Sequence, residues 1–120
     1  MNKSRITTAV AALVLVAGAT LGTAVPAHAV SGCEKGSFCG WWDLNYTGTG
    51  PYGSSGDLWF VGWYHNDKFT SVFNNGYSLA IRAYDGWNYS DGSIVVRRGI
   101  AFADLRNYGF NDHISSFNWF

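Results

Sequence analysis

The sequence is poor in the residues that build helices and in the motifs that carry catalysis. It contains a single glutamate and two cysteines, and charged residues make up only 13% of the chain. The G-x-S-x-G motif, which carries a nucleophilic serine, does not occur, and neither does the H-E-x-x-H motif, which binds a catalytic zinc. If the two cysteines are paired, no thiol is left for nucleophilic attack. These absences make an enzyme the least favoured function.

The charge balance argues against two classes of partner. From Val30 onward the chain has six basic and eight acidic residues, which gives a net charge of roughly −2 with histidine neutral. Binding to nucleic acid or to an anionic lipid surface requires a basic face. We therefore expect no nucleic acid partner and no membrane partner.

Residues 1–29 are predicted to be a secretory signal peptide. Lys3 and Arg5 give this segment a basic start, and an uncharged run follows that ends in Ala27-His28-Ala29, which fits cleavage before Val30. A membrane anchor is the alternative, but no basic cluster follows the run. The sequence therefore predicts a secreted, extracellular product.

The remaining residues, 30–120, are enough for one domain with a small core, which we expect to be a monomer. They contain all 21 aromatic residues, and the chain has 15 glycines, a composition typical of strands and turns. In residues 77–85, apolar Leu79, Ile81 and Ala83 alternate with polar or smaller residues, which predicts a strand. Residues 57–63 are similarly rich in strand formers. Short strands between glycine turns predict an all-β sandwich or barrel.

The two cysteines, Cys33 and Cys39, are predicted to form a disulfide, the default state in an exported protein. Closing so short a loop contributes about 2.4 kcal/mol on the chain-entropy model, so the bond would fix the N-terminal edge rather than hold the domain together. A zinc site that adds His65 and His113 is the alternative. The five-residue gap between the cysteines is not a usual zinc spacing.

A polar motif occurs twice with an offset of 45 residues. HNDKFTSVF, His65 to Phe73, matches FNDHISSF, Phe110 to Phe117. Each copy is preceded by an aromatic residue with aspartate, then Asn-Tyr and a glycine turn: WWDLNYTG begins at Trp41 and AYDGWNYSDG at Ala83. Self-similarity of this kind predicts two copies of one supersecondary unit that bury their apolar faces against each other.

This composite pattern resembles the paired Greek keys of the βγ-crystallin fold over nearly all of residues 30–120. The resemblance implies an all-β, βγ-crystallin-like sandwich of two Greek-key motifs, at about residues 37–76 and 77–120. The C-x5-C opening and the ending LRNYGFNDHISSF are also similar to the secreted peptidase inhibitors whose founding members are bacterial inhibitors of thermolysin-like metalloproteinases. That similarity implies an inhibitor of an extracellular peptidase that acts by inserting an exposed hairpin loop.

The crystallin resemblance further implies a pair of calcium sites at the two polar motifs. The implied ligands are the hydroxyls of Thr70 and Ser115, the backbone carbonyls of Lys68 and His113, and the carboxylates of Asp67 and Asp112, each reaching to the other motif's site. Calcium accepts carboxylate, hydroxyl and carbonyl oxygens together, and one carboxylate per site places the dissociation constant at roughly 10⁻⁴ to 10⁻³ M. Alternatively, the same residues form Asx and Ser/Thr turns without metal.

Two glycine-rich loops, residues 46–56 and 86–93, are candidates for the inhibitory contact. A stiff exposed loop loses little entropy on binding. The second loop is preferred because Trp87 and Tyr89, which flank Asn88, could fill hydrophobic subsites of a thermolysin-like enzyme; the alternative is that these rings only cover the end of the sandwich. The family's inhibitory loop is cross-linked by a second disulfide, which this chain lacks.

Two other classes of function stay open. A carbohydrate-binding module is possible because the chain has six tryptophans, some of which could stack on sugar rings. The six are Trp41, Trp42, Trp59, Trp63, Trp87 and Trp119. The second class is a calcium-stabilised structural or toxin-like protein of the same fold that has no peptidase target.

Overall fold

The computed structural model describes Thr23–Ala24, Val30 and residues 32–120. Apart from Thr23–Ala24, the predicted signal peptide lies outside the described residues. Within the described part of the chain, no helix is both long and apolar enough to span a membrane.

The described residues form short β-strands and two 3₁₀ helices. In chain order the strands are β1 (Thr23–Ala24), β2 (Phe38–Trp41), β3 (Tyr52–Ser54), β4 (Ser71–Asn74), β5 (Ile81–Gly86), β6 (Ser90–Val96), β7 (Ile100–Phe102) and β8 (Ser116–Trp119). The 3₁₀ helices, Leu44–Tyr46 and Leu105–Tyr108, follow β2 and β7. The predicted all-β class is confirmed.

The strands form two antiparallel sheets that exchange segments between the two halves of the chain. One sheet has the order β1-β7-β4-β2-β3 and the other has the order β6-β5-β8. Strand β7 comes from the second half but pairs with β4, where Val72 faces Phe102. Reciprocally, Leu58 from the first half forms a bridge with Phe117 of β8. The two halves are therefore interlocked, as a pair of Greek keys requires.

The main core lies between the two sheets. Phe38 of β2 and Phe117 of β8 meet across it in an edge-to-face contact, with ring centroids 4.9 Å apart. The other buried members include Val72, Ile81, Ala83, Val96 and Phe102 from the strands and Phe69, Leu105 and Ile114 from the connecting segments. Apolar residues from both repeats thus share one interior, which is the expected source of most of the folding free energy.

The N-terminal segment covers the outer face of the larger sheet. Cys33 and Cys39 form a disulfide with a Cα–Cα distance of 5.9 Å, which confirms the predicted bond. Both cysteines pack in a second buried cluster with Trp41 and Phe73. The sulfurs are bonded to each other, so the zinc alternative is wrong for these cysteines. Across the described residues, no three His, Cys, Asp or Glu side chains are grouped in a way that could hold a metal.

Two predicted strand features are wrong in detail. Residues 57–63 do not form a regular strand, because only Leu58 and Val61 form backbone hydrogen bonds with residues 115–117 and the aromatic residues between and after them turn outward. Leu79 precedes β5 and is 48% exposed instead of sharing the buried face of Ile81. The buried Asn74 side chain donates to the Leu79 carbonyl at 3.1 Å. Leu79 therefore belongs to the connection between the two halves of the chain and not to β5.

Candidate functional site

The two polar motifs lie side by side, as the crystallin resemblance implies. The backbone N–H of Asp67 donates to the carbonyl of Ile114 at 3.1 Å, and that of Asp112 donates to the carbonyl of Phe69 at 3.0 Å. Both aspartates have left-handed backbones, with φ of 57° and 58°. The turns are therefore matched and joined by a reciprocal pair of hydrogen bonds.

Oxygen atoms from the two turns converge at this junction. Ser115 Oγ donates to Asp67 Oδ1 at 3.1 Å, so the carboxylate of the first turn reaches the hydroxyl of the second. The equivalent bond from Thr70 to Asp112 is absent from the described residues. The amide oxygens of Asn66 and Asn111, which open the two motifs, are buried without a hydrogen-bond partner in this region. Oxygen ligands of this kind fit a hard cation such as calcium better than zinc.

The other implied ligands occupy the same two turns, but some of their side chains are engaged elsewhere. The Lys68 ammonium group lies 5.4 Å from the centroid of the Trp42 ring. The His113 ring places Nδ1 3.2 Å from Asp85 Oδ1. Lys68 and His113 can therefore contribute to a metal site through their backbone carbonyls, the role that the resemblance gives them.

A buried serine holds the hairpin turn between β5 and β6. Ser116 Oγ donates to the Gly86 carbonyl at 2.6 Å and accepts from the Tyr89 N–H at 3.0 Å, and the side chain is fully buried. Asn88 and Tyr89 have left-handed backbones, with φ of 55° and 58°. The turn that includes Trp87 is therefore fixed at both ends from the core of the domain.

The first half of the chain uses the same device. Ser71 Oγ donates to the Asp43 carbonyl at 2.7 Å and accepts from the Tyr46 N–H at 3.0 Å. Asn45 and Tyr46 have φ of 56° and 61°, close to the values in the second hairpin. The position that corresponds to Trp87 is Leu44, so only the second turn presents an exposed indole.

Trp87 belongs to an exposed aromatic cluster, which we define as Trp59, Phe60, Trp63 and Trp87. The Phe60 ring centroid lies 4.9 Å from that of Trp63 and 4.8 Å from that of Trp87, and the two indoles are 5.0 Å apart. The Asn88 N–H donates to the Trp59 carbonyl at 2.9 Å, which joins the hairpin turn to the 57–63 segment. Trp63 is 73% exposed.

The two hairpin tyrosines cover the ends of the sandwich. Tyr46 packs edge-on against Trp41, with centroids 5.4 Å apart, and Tyr89 packs against Tyr84 at 5.9 Å. Desolvation raises the pKa of Tyr89, and the nearby carboxylate of Asp57 raises it further. Tyr89 thus packs on the sandwich while it stays 38% exposed, and Trp87 lies in the aromatic cluster.

The sequence did not reveal the aromatic cluster as a unit. Trp59, Trp63 and Trp87 belonged to a pool of six tryptophans with no predicted mutual contacts, and Phe60 had no predicted role. The only local signal is the density of aromatic residues between 59 and 64. Contact with Trp87 arises because residues 57–63 follow the edge of the second sheet.

A neighbouring aromatic group fixes the approach to the first polar motif. Trp42 Nε1 donates to His65 Nδ1 at 3.2 Å, and the His65 ring stacks on Tyr52 with centroids 4.1 Å apart. Desolvation lowers the pKa of His65, which favours the neutral imidazole that this hydrogen bond requires. His65 is therefore a structural residue of the turn.

Comparison with solved structures shows the fold. The chain is similar to a structure from work on the evolution of the eye-lens βγ-crystallin domain fold, with 22% identity over 76% of this chain and 92% of that chain and a TM-score of 0.68. It is also similar to an archaeal βγ-crystallin, with 22% identity, coverages of 72% and 100%, and a TM-score of 0.61. A third similar structure is a βγ-crystallin from Ciona intestinalis, with 17% identity over 71% of this chain and 100% of that chain and a TM-score of 0.62. The βγ-crystallin-like fold is therefore confirmed.

Comparison with family models shows the family. The model of peptidase inhibitor family I36 matches residues 26–96, which is more than half of the chain. No curated protein matches the chain in sequence. The matched region contains the aromatic cluster and the hairpin turn at residues 87–89, but it ends before the second polar motif. The family indicates a protein that is not an enzyme and whose partner is a peptidase. The chain belongs to peptidase inhibitor family I36.

Proposed function

We propose that this chain inhibits an extracellular, thermolysin-like metalloproteinase through the turn Trp87, Asn88 and Tyr89 together with the aromatic cluster. The observation that carries the proposal is that a turn held from the core by Ser116 presents Trp87 within an exposed group of rings. All of these rings lie in the region that matches the inhibitor family. The product is secreted, as the predicted signal peptide implies, and acts as a monomer.

The cluster has the composition of an interface hot spot. Tryptophan dominates binding energy at protein interfaces because its large ring is desolvated on contact. Contiguous apolar patches on soluble monomers commonly mark interaction sites. The hydrogen bonds of Ser116 order the turn before binding, which lowers the entropic cost of association. This internal fixation takes the place of the second disulfide that the chain lacks.

The backbone of the turn favours contact through side chains. Asn88 and Tyr89 have left-handed conformations, whereas a peptide in a protease cleft is extended. The turn therefore inserts the Trp87 ring into a hydrophobic subsite without offering a bond between Asn88 and Tyr89 for cleavage. An inhibitor that works in this way stays intact in the complex.

A stoichiometric titration against three peptidase classes tests the proposed function. We expect the activity of a thermolysin-like enzyme to fall in proportion to added protein until about one equivalent is present, as for other tight complexes with protease inhibitors. Subtilisin-like and trypsin-like enzymes serve as the specificity controls, and the reduced, unfolded chain should not inhibit. Complete digestion of the folded protein by all three enzymes would contradict the proposal.

We also propose that calcium binds weakly at the paired polar turns. Asp67, Thr70, Asp112 and Ser115 would supply side-chain oxygens, and Lys68 and His113 would supply carbonyl oxygens. The cross-contact between Ser115 and Asp67 supports this assignment because it already places oxygens of the two turns together. Bound calcium would stabilise the fold by tying the two repeats to each other.

Calcium is expected to raise the melting temperature. For one site with a dissociation constant of ~1 mM, ~10 mM calcium adds about 1.4 kcal/mol to the free energy of unfolding. Differential scanning calorimetry with sodium chloride at equal ionic strength measures this gain, and isothermal titration measures the heat of binding. Asp67→Asn with Asp112→Asn should abolish both signals. No heat and no gain in melting temperature for the unaltered protein would end the calcium proposal.

The peptidase and calcium titrations also distinguish peptidase inhibition from the main alternative function. A calcium-stabilised structural or toxin-like protein without a peptidase target is favoured only by the likeness to crystallin domains. It would show a strong dependence of melting temperature on calcium while leaving every peptidase in the panel active. Inhibition of any one peptidase rules it out.

A further inference from the structure

A cavity of about 410 Å³ lies at the edge where residues 55–57, the connection between the two halves and the end of β8 meet. Its lining includes Ser55, Gly56, Asp57, Tyr77, Leu79 and Trp119. None of these residues belongs to the aromatic cluster or to the paired polar turns. We propose that this cavity binds a small neutral saccharide, a function independent of peptidase inhibition.

Two aromatic side chains of the cavity pack directly on the backbone of glycine residues. A Cβ atom at Gly76 would lie 2.5 Å from Trp119 Cζ3, and one at Gly36 would lie 2.7 Å from Tyr77 Cε2. The backbone of Gly76 is not left-handed, so its own conformation does not require glycine. Glycine is required at position 76 because the Trp119 ring leaves no room for a Cβ atom. Glycine at these positions therefore lets both rings lie against the backbone and border the cavity.

The polar groups of the cavity are only partly satisfied. Asp57 Oδ1 accepts from the Trp119 N–H at 2.9 Å, which orients the carboxylate. In the described part of the chain, Trp119 carries a buried Nε1–H that has no hydrogen-bond partner. The hydroxyl-bearing Ser55 and Ser78 also line the cavity. A ligand rich in hydroxyl groups can bond to an oriented carboxylate and to serine hydroxyls.

The chemistry of the lining selects the ligand class. The volume falls within the range of about 300–1,000 Å³ that is typical of small-molecule sites. The only charged lining residue among those described is Asp57, which disfavours phosphates and carboxylates. Aromatic faces are electron-rich and attract the C–H groups on the flat side of a sugar ring. Tyr77 is 73% exposed, and the Lys35 ammonium group lies over its ring, 5.6 Å from the centroid, so the face that Lys35 does not cover offers such a surface. A neutral saccharide fits the volume of the cavity, the charge of its lining and its aromatic surface.

Isothermal titration with cellotetraose and with N,N′-diacetylchitobiose tests the proposal. We expect saturable binding of at least one of them with a dissociation constant in the millimolar range or below, and no binding of inorganic phosphate. Saturable binding of neither saccharide overturns the proposal. So does phosphate binding in place of saccharide binding.

A matched pair of substitutions locates the site. Gly56 and Gly92 both face open space and neither is left-handed, so either accepts a large side chain without strain, but only Gly56 lines the cavity. Gly56→Phe should weaken saccharide binding by about 10-fold or more, whereas Gly92→Phe should change it by less than about twofold. Equal binding by the two variants overturns the proposal.

A third variant separates the cavity from the aromatic cluster. Trp63→Ala with Trp87→Ala should keep full saccharide affinity, since neither ring lines the cavity. Loss of saccharide binding in this variant would place the sugar on the cluster and overturn the cavity assignment. Peptidase inhibition is measured separately, so failure of either function leaves the other testable.

Discussion

Replacing both Trp63 and Trp87 by alanine is expected to weaken inhibition of the target peptidase by about 30-fold to 1,000-fold. This range corresponds to a loss of about 2–4 kcal/mol, which is typical when aromatic anchors are removed from the centre of an interface. The two indoles contact each other, and Phe60 contacts both, so the pair forms the middle of the proposed contact surface. The inhibition constant, measured from the titration of peptidase activity, checks the prediction.

The control for this variant is Tyr77→Ala. Tyr77 is as exposed as Trp63, at 73%, but it lies at the cavity and shares no ring contact with the cluster in the described structure. Its removal should leave the inhibition constant within about twofold. The double variant should also keep the melting temperature close to that of the unaltered protein, because both rings are largely outside the core. An unchanged inhibition constant in the double variant would show that the peptidase contacts another surface.

Replacing Phe117 by alanine is expected to cost about 3–5 kcal/mol of the free energy of unfolding. Phe117 lies in β8 and packs against Phe38 of the opposite sheet, so its loss opens a cavity between the two layers. A domain of this size is typically stable by about 5–14 kcal/mol, so the variant loses a large share of that stability. Equilibrium unfolding in urea measures the change directly.

Phe120→Ala provides the comparison for the core variant. Phe120 carries the same ring three residues later, but it is 51% exposed and its ring contacts the Arg82 guanidinium group. Its backbone bonds to Ala80 remain after truncation. We expect a loss of about 1 kcal/mol or less. Similar losses for the two variants would contradict the assignment of Phe117 as a principal contact between the sheets.

The features of the fold that occur in both halves could be predicted because matched residues of the two sequence copies make matched contacts. The serine that follows the first hydroxyl residue in each copy, Ser71 or Ser116, makes the same two hydrogen bonds to its own hairpin. The aspartates Asp67 and Asp112 occupy the same backbone conformation and bond across to the other turn. A motif that recurs with its spacing intact therefore predicts the packing of the two halves as well as the local turns.

The surfaces that are not repeated could not be predicted in the same way. Trp63 and Trp87 are 24 residues apart, and their contact depends on how an irregular segment follows the edge of β8. Its richness in strand-forming residues predicted a strand for that segment, but residue type does not show which aromatic residues will find space in the core. The cavity likewise draws on four separate segments, and the connection after Asn74 brings one of them, residues 77–79, to the others.

The exchange of edge segments between the sheets has a consequence for the origin of this architecture. A polypeptide with only one of the two copies would leave a sheet edge unpaired and half of its apolar interior facing water. Such a chain could complete itself only by associating with another molecule of the same kind, at a stability set by protein concentration. Fusing two copies makes the association intramolecular and removes that dependence. The present domain is thus the covalent equivalent of a dimer, and we expect neither half to fold when expressed alone.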